Sequence, residues 1–472
     1  MSSAGRAKAL IYSLIGVSVV AGVTVALLGI FGNDIFPNKD AGGNWEDPKL
    51  SYVKTPSLDQ LRASFAPDTC FDTYDLTWTS GKDGQIYANT APFFVKGMSW
   101  FGCEGHGYTF TGLNFTSMDT ILNFFVQHKF NTVRIPVSVA FALAPKDTKP
   151  NQRFVGKSLK GKTIWEILGE AIDQAALRGL MVMLDMHTLG PQEPSDLWYD
   201  EQYQEADVLQ AWTNIMSAYS AKWNVFALDL KNEPHGIATW GVKAPLTDYN
   251  KFYERSITHI HAKFPDWKGL YLVEGVQFNK ETDKATDYPF WWGGNFGGAV
   301  NHPIKVPYPD VMDRVVYSPH VYGPDVYDHP YMNVPAEDLP KELVKVWDSQ
   351  MGWLIPKLQK GMIIGEWGGS LKGRDDIVQR TLAKWLVKNC MANNVWWAIN
   401  PESSDTGGIM SWNWKTYDKN RLDLVDSIFP DPTRFGIKRS KLCLHLGTYP
   451  NPECPIQPFK KPEIAQPEKL RA

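Results

Sequence analysis

Between residues 93 and 399, short apolar runs alternate with longer stretches in which apolar positions recur every three or four residues. The short runs lie at 93–100, 132–136, 181–187, 226–233, 270–274, 315–320, 362–366 and 395–399. Most are continuous rather than alternating, the pattern of a strand covered on both faces. The longer stretches, 118–130, 163–178, 208–220, 248–264, 341–358 and 376–390, have the spacing of amphipathic helices. Strands and helices in alternation build a parallel sheet, and eight units predict a closed (β/α)8 TIM barrel. No dinucleotide fingerprint follows the first strand, which argues against an open doubly wound sheet. Ahead of the barrel, Gly81 and Asp83-Gly84 separate Thr-, Trp- and Tyr-containing segments over 77–91, which predicts a β-hairpin.

The flanks differ in pattern. Arg6 and Lys8 precede an uncharged, mostly apolar run over 9–31. About 20 apolar residues can cross a bilayer as a helix, whereas a signal peptide usually has an apolar region of only about 7–15. The expectation is a single transmembrane signal anchor at 9–31, with 1–8 cytoplasmic and the large domain extracellular or lumenal. A cleaved signal peptide, and hence secretion, is the alternative. A polar spacer is expected over 32–65, the catalytic domain over 66–443, and an irregular Pro-rich tail over 444–472.

Composition adds modest constraints. A net charge of −3 over 472 residues gives no basic face of the kind nucleic-acid binders carry. The 19 Trp serve large cores, but Trp also stacks on the apolar faces of sugar rings. Of five cysteines, Cys443 and Cys454 flank a short Pro-containing loop and form the first candidate pair; an odd count leaves one thiol over. An oxidising compartment permits such bridges. Asn114-Phe115-Thr116 is a glycosylation sequon. There is no Cys-x-x-Cys or His-Glu-x-x-His, so no zinc site is expected. Gly156-x4-Gly161-Lys162-Thr163 satisfies a phosphate-loop pattern. No apolar strand precedes it, and Thr163-x-x-Glu166 serves better as a helix capping box, so no nucleotide is expected.

Chemistry is sought where the strands end, because a barrel of this kind carries its site at their carboxyl ends. Polar residues terminate nearly every run: Arg134, His187, Asn232-Glu233, His320 with Tyr322, Glu366 and Trp397. Glu233 and Glu366 end the fourth and seventh strands, almost opposite in an eight-stranded ring. Two facing carboxyls suit glycoside hydrolysis: one protonates the leaving oxygen and the other attacks or activates water. Taken singly, either is an ordinary carboxylate at a strand–helix junction; their pairing carries the argument. Arg134, followed by Ile135-Pro136, is expected to be buried beside a carboxylate.

These residues sit in stretches that resemble glycoside hydrolase family 5, the cellulase family, and its bacterial-type endoglucanase branch above all. The stretches are Gly97-Met-Ser-Trp-Phe-Gly102, Asn131-Thr-Val-Arg-Ile-Pro136, Leu184-Asp-Met-His187, Leu230-Lys-Asn-Glu-Pro-His-Gly236, Val273-Glu-Gly-Val-Gln277, Trp291-Trp-Gly-Gly-Asn295, His320-Val-Tyr322, Ile364-Gly-Glu-Trp-Gly-Gly369, and Asn400-Pro401 with Asp405-Thr-Gly-Gly408. The resemblance implies Glu233 as acid/base, Glu366 as nucleophile and Asn232 as the partner of the sugar 2-hydroxyl. It implies Arg134, His187, His320, Tyr322 and Trp397 as the surrounding shell, and Trp100, Trp240 and Trp292 as sugar-stacking positions. It further implies a retaining endoglucanase acting on cellulose or related β-glucan poly- and oligosaccharides, with no cofactor and no metal. Another β-glycan (mannan, β-1,3-glucan or a glycosylceramide) is the alternative substrate. A non-catalytic glycan-binding membrane protein is the alternative of another class.

Overall fold

A computed structural model describes residues 50–71, 74–191, 194–278 and 289–458. The signal anchor expected at 9–31 and the last part of the tail lie outside the described residues. Among the described residues, no helix is long and apolar enough to cross a membrane.

Eight parallel strands form one sheet: β1 (Lys96–Ser99), β2 (Thr132–Ser138), β3 (Met181–Thr188), β4 (Val225–Asp229), β5 (Leu270–Val273), β6 (Val315–Tyr317), β7 (Ile364–Trp367) and β8 (Asn394–Trp396). Neighbours in sequence pair in space, and β8 pairs with β1. Parallel bridges Tyr317↔Met362 and His320↔Glu366 join β6 to β7 and close the ring. The expected barrel is therefore present. Every residue of the eight strands is buried, as a sheet covered on both faces requires.

The outer ring comprises α1 (Met118–Gln127), α2 (Ile164–Ala176), α3 (Glu205–Tyr219), α4 (Tyr249–Lys263), α5 (Leu339–Gln350), α6 (Gly373–Lys388) and α7 (Lys419–Ile428). Thr163 caps α2 in the expected capping box with Glu166, so the phosphate-loop look-alike is a helix start. The helix expected over 341–358 is two: α5 ends at Gln350, and a short helix follows at Leu354–Leu358. The break falls at Met351-Gly352, where both N–H groups turn back onto the Trp347 carbonyl.

Strand parity divides the core. Val182, Leu184, Leu228, Tyr271 and Val273 pack outward with the helices. Met181, Met183, Ala227, Leu270, Leu272, Val316 and Val395 point the other way, into a second cluster that includes Trp78, Ile86, Phe93 and Phe435. The expected hairpin supplies part of that cluster: Trp78–Ser80 pairs antiparallel with Ile86–Ala88. It is tied to the strands' starting ends. Trp78 and Ser80 donate to the carbonyls of Lys268 and Asp313, and Gly361 N–H donates to Ser80 Oγ.

The domain edges move outward. Leu50–Tyr52 pairs with Thr416–Asp418, and Leu58–Ser64 is a helix, so the folded unit begins inside the expected spacer. At the other end the chain stays irregular but packed. Tyr449 lies 5.1 Å from Phe94 and its hydroxyl accepts from Ala392 N–H. The expected Cys443–Cys454 bridge is replaced by Cys70–Cys443 and Cys390–Cys454, with Cys103 free and buried. The reason is strand register: Cys443 lies directly across from Cys70 in an antiparallel pair, and Cys454 reaches the loop after α6.

Candidate active site

The alternation that buries apolar side chains in the lower barrel sets charged ones above them. Two residues beyond Met183 comes Asp185, and two further His187. Asp229 follows Ala227, Glu274 follows Leu272, and Ser318 and His320 follow Val316. A period of two keeps all of these on the inner face.

Arg134 is the hub. Its Nη2 lies 3.1 Å from Asp185 Oδ2 and 2.9 Å from Asp229 Oδ2, and donates to Asn232 Oδ1 at 2.9 Å. Its Nε donates to Asp229 Oδ2 at 3.1 Å, Nη1 donates to Glu366 Oε1, and Glu274 Oε1 is 3.8 Å from Nη2. Burial alone would lower its pKa, but Asp185, Glu366, Asp229 and Glu274 together raise it well above the usual guanidinium value.

Glu366 on β7 receives a donor on each oxygen, Arg134 on Oε1 and the Tyr322 hydroxyl on Oε2 at 2.6 Å. Burial, then Glu366 and Glu233, push the Tyr322 phenol well up, so it stays a donor. Glu233 follows β4, where Asn232 N–H still bonds the Met186 carbonyl. Its backbone turns left-handed, at φ +51°, a conformation that a non-glycine residue adopts only when its surroundings impose it. Its N–H donates to Glu274 Oε2 at 2.7 Å. Its Oε1 lies 3.1 Å from His320 Nδ1, and the other ring nitrogen of His320 lies 3.3 Å from Glu274 Oε1. Burial disfavours charge on His320, but Glu274, Glu366 and Glu233 outweigh it and raise its pKa well above 6.5. An oxygen of Glu233 and one of Glu366 lie within 4.8 Å of each other, with His320 beside both.

The rest of the expected shell divides. His187 Nδ1 meets Asp185 Oδ2 at 2.6 Å. Burial draws His187 down to about 4, so its ring is neutral at neutral pH, and pushes Asp185 up to about 7. Trp397 lies parallel to His187 at 5.2 Å and to Phe101 at 5.3 Å. Asn232 is buried; Arg134 holds its Oδ1, and its Nδ2 has no hydrogen-bond partner among the described residues. Trp292 is 39% exposed and stacks on His235 at 3.7 Å, beside Gly293, which packs against Glu233. Trp100 and Trp240, expected to stack on sugar, are sealed in the core. Each is buried to within 1% and donates its indole N–H to a main-chain carbonyl, of Thr111 and His302 respectively, so neither offers a face to a sugar.

Sequence reasoning gave no role to Asp185, Asp229 or Glu274, which parity counting along β3, β4 and β5 would have found. Glu104 also went unassigned; burial, opposed by a hydrogen bond from Gly102 N–H, pushes it up to about 7.

Atoms of Asp185, His187 and Glu366, and of Asp229, Glu274 and His320, cluster within 4.8 Å, close enough to hold a metal ion. Arg134 already bridges these carboxylates with its own fixed charge, which disfavours a cation there.

Residues 87–403 match the model of the family described as Cellulase (glycosyl hydrolase family 5). An endoglucanase from Paenibacillus polymyxa is 35% identical over 341 residues, spanning 71% of this chain and 82% of that protein. The major extracellular endoglucanase of Xanthomonas campestris is 32% identical over 340 residues, 71% of this chain and 67% of that protein. The solved structure of a Pyrococcus horikoshii endocellulase variant in complex with cellotetraose is similar at 31% identity and a TM-score of 0.69, covering 75% of this chain and 98% of that one.

Proposed function

The chain belongs to glycosyl hydrolase family 5, and from that premise we propose that it is a retaining endo-β-1,4-glucanase acting on cellulose or related β-glucans. The observation that carries the mechanism is the spacing of the two carboxylates. Retaining glycosidases place them about 5–5.5 Å apart and inverting ones about 6.5–9.5 Å. An oxygen of Glu233 and one of Glu366 lie within 4.8 Å of each other, a close approach that supports the retaining arrangement.

Glu366, steadied on both oxygens, attacks the anomeric carbon. Glu233 gives its proton to the glycosidic oxygen, and the C–O bond to the leaving sugar breaks. Glu233, now a carboxylate, takes a proton from water. That water attacks the anomeric carbon and releases Glu366 from its ester. Asn232, with Oδ1 held by Arg134, offers its amide N–H to the sugar 2-hydroxyl. Trp292, beside the acid, supports the leaving-group side of the chain.

Glu366→Gln is expected to abolish turnover of carboxymethylcellulose while leaving the melting temperature near that of the wild type. Glu233→Ala is expected to retain slow hydrolysis of 2,4-dinitrophenyl β-cellobioside and to be accelerated by azide, giving the β-glycosyl azide. Normal turnover by the first variant would sink the nucleophile assignment, and an α-azide would sink retention. Product lengths from cellulose, mannan and laminarin decide the polymer.

The uncharged run at 9–31 supports a place outside the cytoplasm, membrane-anchored or secreted after cleavage, and two disulfides suit that compartment. N-terminal sequencing of the mature protein separates the two.

A further inference from the structure

We propose that Glu274 is a positioning residue of the reaction, holding both the backbone of Glu233 and the ring of His320 so that the acid/base oxygen is aimed at the bond to be cleaved. The proposal rests on the glycosidase reading above and adds a residue to it.

The geometry is a closed circuit of three residues. Glu274 Oε2 accepts from Glu233 N–H at 2.7 Å, and Glu274 Oε1 lies 3.3 Å from His320 Nε2, an ion-pair contact whose angle is not that of a hydrogen bond. His320 returns to Glu233, with Nδ1 3.1 Å from Oε1. Glu274 therefore holds its target at both ends, the main chain directly and the carboxyl through one imidazole. The left-handed φ of Glu233 has its N–H fixed by that same carboxylate. Glu274 is fully buried, with its own N–H bonded to the Tyr253 hydroxyl on α4. Gly293 completes the fit. A Cβ there would lie 2.2 Å from Glu274 Oε2, so only glycine lets this loop pass beneath Glu233.

Charge fits the same arrangement. Groups facing Glu274 and His320 come from every neighbouring strand: Arg134 from β2, Asp185 from β3, Asp229 and Lys231 from β4 and its extension, and Glu366 from β7. His320 is raised well above an ordinary histidine, with Glu274 the largest of the charges raising it. An imidazolium has a donor on each nitrogen, one toward each of the carboxyl groups on either side of His320; burial pushes the Glu274 carboxyl well above the usual range, and the charge of His320 opposes that rise. Deprived of Glu274, the ring keeps one donor at most, and the N–H of Glu233 loses its acceptor.

The test separates positioning from general integrity. In Glu274→Gln, the single remaining carbonyl oxygen can serve Glu233 N–H or His320, but not both. The readout is kcat/KM on two substrates: cellotetraose, whose leaving group needs a proton, and 2,4-dinitrophenyl β-cellobioside, whose leaving group does not. The expected result is a loss of about 10²-fold on cellotetraose and a change within about 3-fold on the aryl substrate. Equal losses on both, as from a merely structural defect, overturn the proposal, as does wild-type behaviour on both. Wild-type enzyme inert on both substrates overturns the glycosidase reading instead, and the proposal falls with it. A measurement on the unaltered protein covers a variant that fails to fold. With 15N-labelled histidine, His320 is expected to carry a proton on both ring nitrogens at pH 7, and a singly protonated ring overturns the proposal.

Discussion

Arg134 contacts carboxylates contributed by β3, β4 and β7 while itself standing on β2. Few side chains have the reach and fixed donors for this; a lysine would bring one point charge where a guanidinium brings a fork. Replacing it by methionine leaves a cluster of buried acids unpaired. Arg134→Met is expected to cost about 3–5 kcal/mol of stability, since removing one partner of a buried ion pair strands the others. Urea unfolding at pH 7 measures this, and a loss under about 1 kcal/mol would mean that the acids are neutral without it. The sequence made part of this legible. Glu233 and Glu366 stand past or near strand ends, as expected, whereas Arg134 lies inside β2, which runs on to Ser138. Asp185 and Asp229 lie inside apolar runs, where a continuous pattern hides which residues face inward. Trp100 and Trp240 misled for the opposite reason: a tryptophan near a site looks the same in sequence whether its ring is open or sealed.

At the scale of elements, the loops above the strands carry what the periodic segments could not reveal. The connection after β6 gathers aromatic rings around His329, with Trp291 at 4.4 Å, Tyr327 at 4.8 Å and Tyr331 at 5.2 Å. Burial draws the His329 pKa down to about 4. A histidine whose folded pKa is depressed stabilises nothing by charging. Stability is therefore full above the unfolded value near 6.5 and is lost as the pH falls from there toward about 4. Thermal midpoints are expected to decline over that interval, and His329→Phe, which keeps a ring but takes no charge, is expected to flatten the decline. An unchanged pH profile in that variant would clear His329 of the effect. The strands and most helices were readable because apolar spacing alone decides them. The division after Gln350 was not, because the main-chain turn at Met351-Gly352 leaves little trace in the apolar pattern.

On the scale of the whole molecule, two bridges fasten the chain's outer segments, one joining the two flanks to each other and one joining the C-terminal flank to the loop after α6. Cys70–Cys443 spans 373 residues and Cys390–Cys454 spans 64. Constraining the unfolded chain in this way stabilises by about 2–4 kcal/mol per bridge. Cys390→Ser with Cys454→Ser is expected to lower the melting temperature by several degrees with kcat unchanged, a difference that scanning calorimetry resolves. Composition suggested an irregular Pro-rich tail after residue 444, and the partners of Tyr449 and Cys454, distant in sequence, reveal that its described part is bound.

The hairpin beneath the barrel carries a consequence for the order of assembly. Its hydrogen-bonding partners Lys268, Asp313 and Gly361 all come far later in the chain than Trp78 and Ser80. A ribosome releases the hairpin long before it releases the floor on which the hairpin rests. Trp78 and Phe93 must therefore wait exposed, or in the care of a chaperone, until the seventh strand is within reach, because long-range contacts form only after the intervening chain exists. Stalled or truncated chains that end before residue 361 are thus expected to present this aromatic surface to one another.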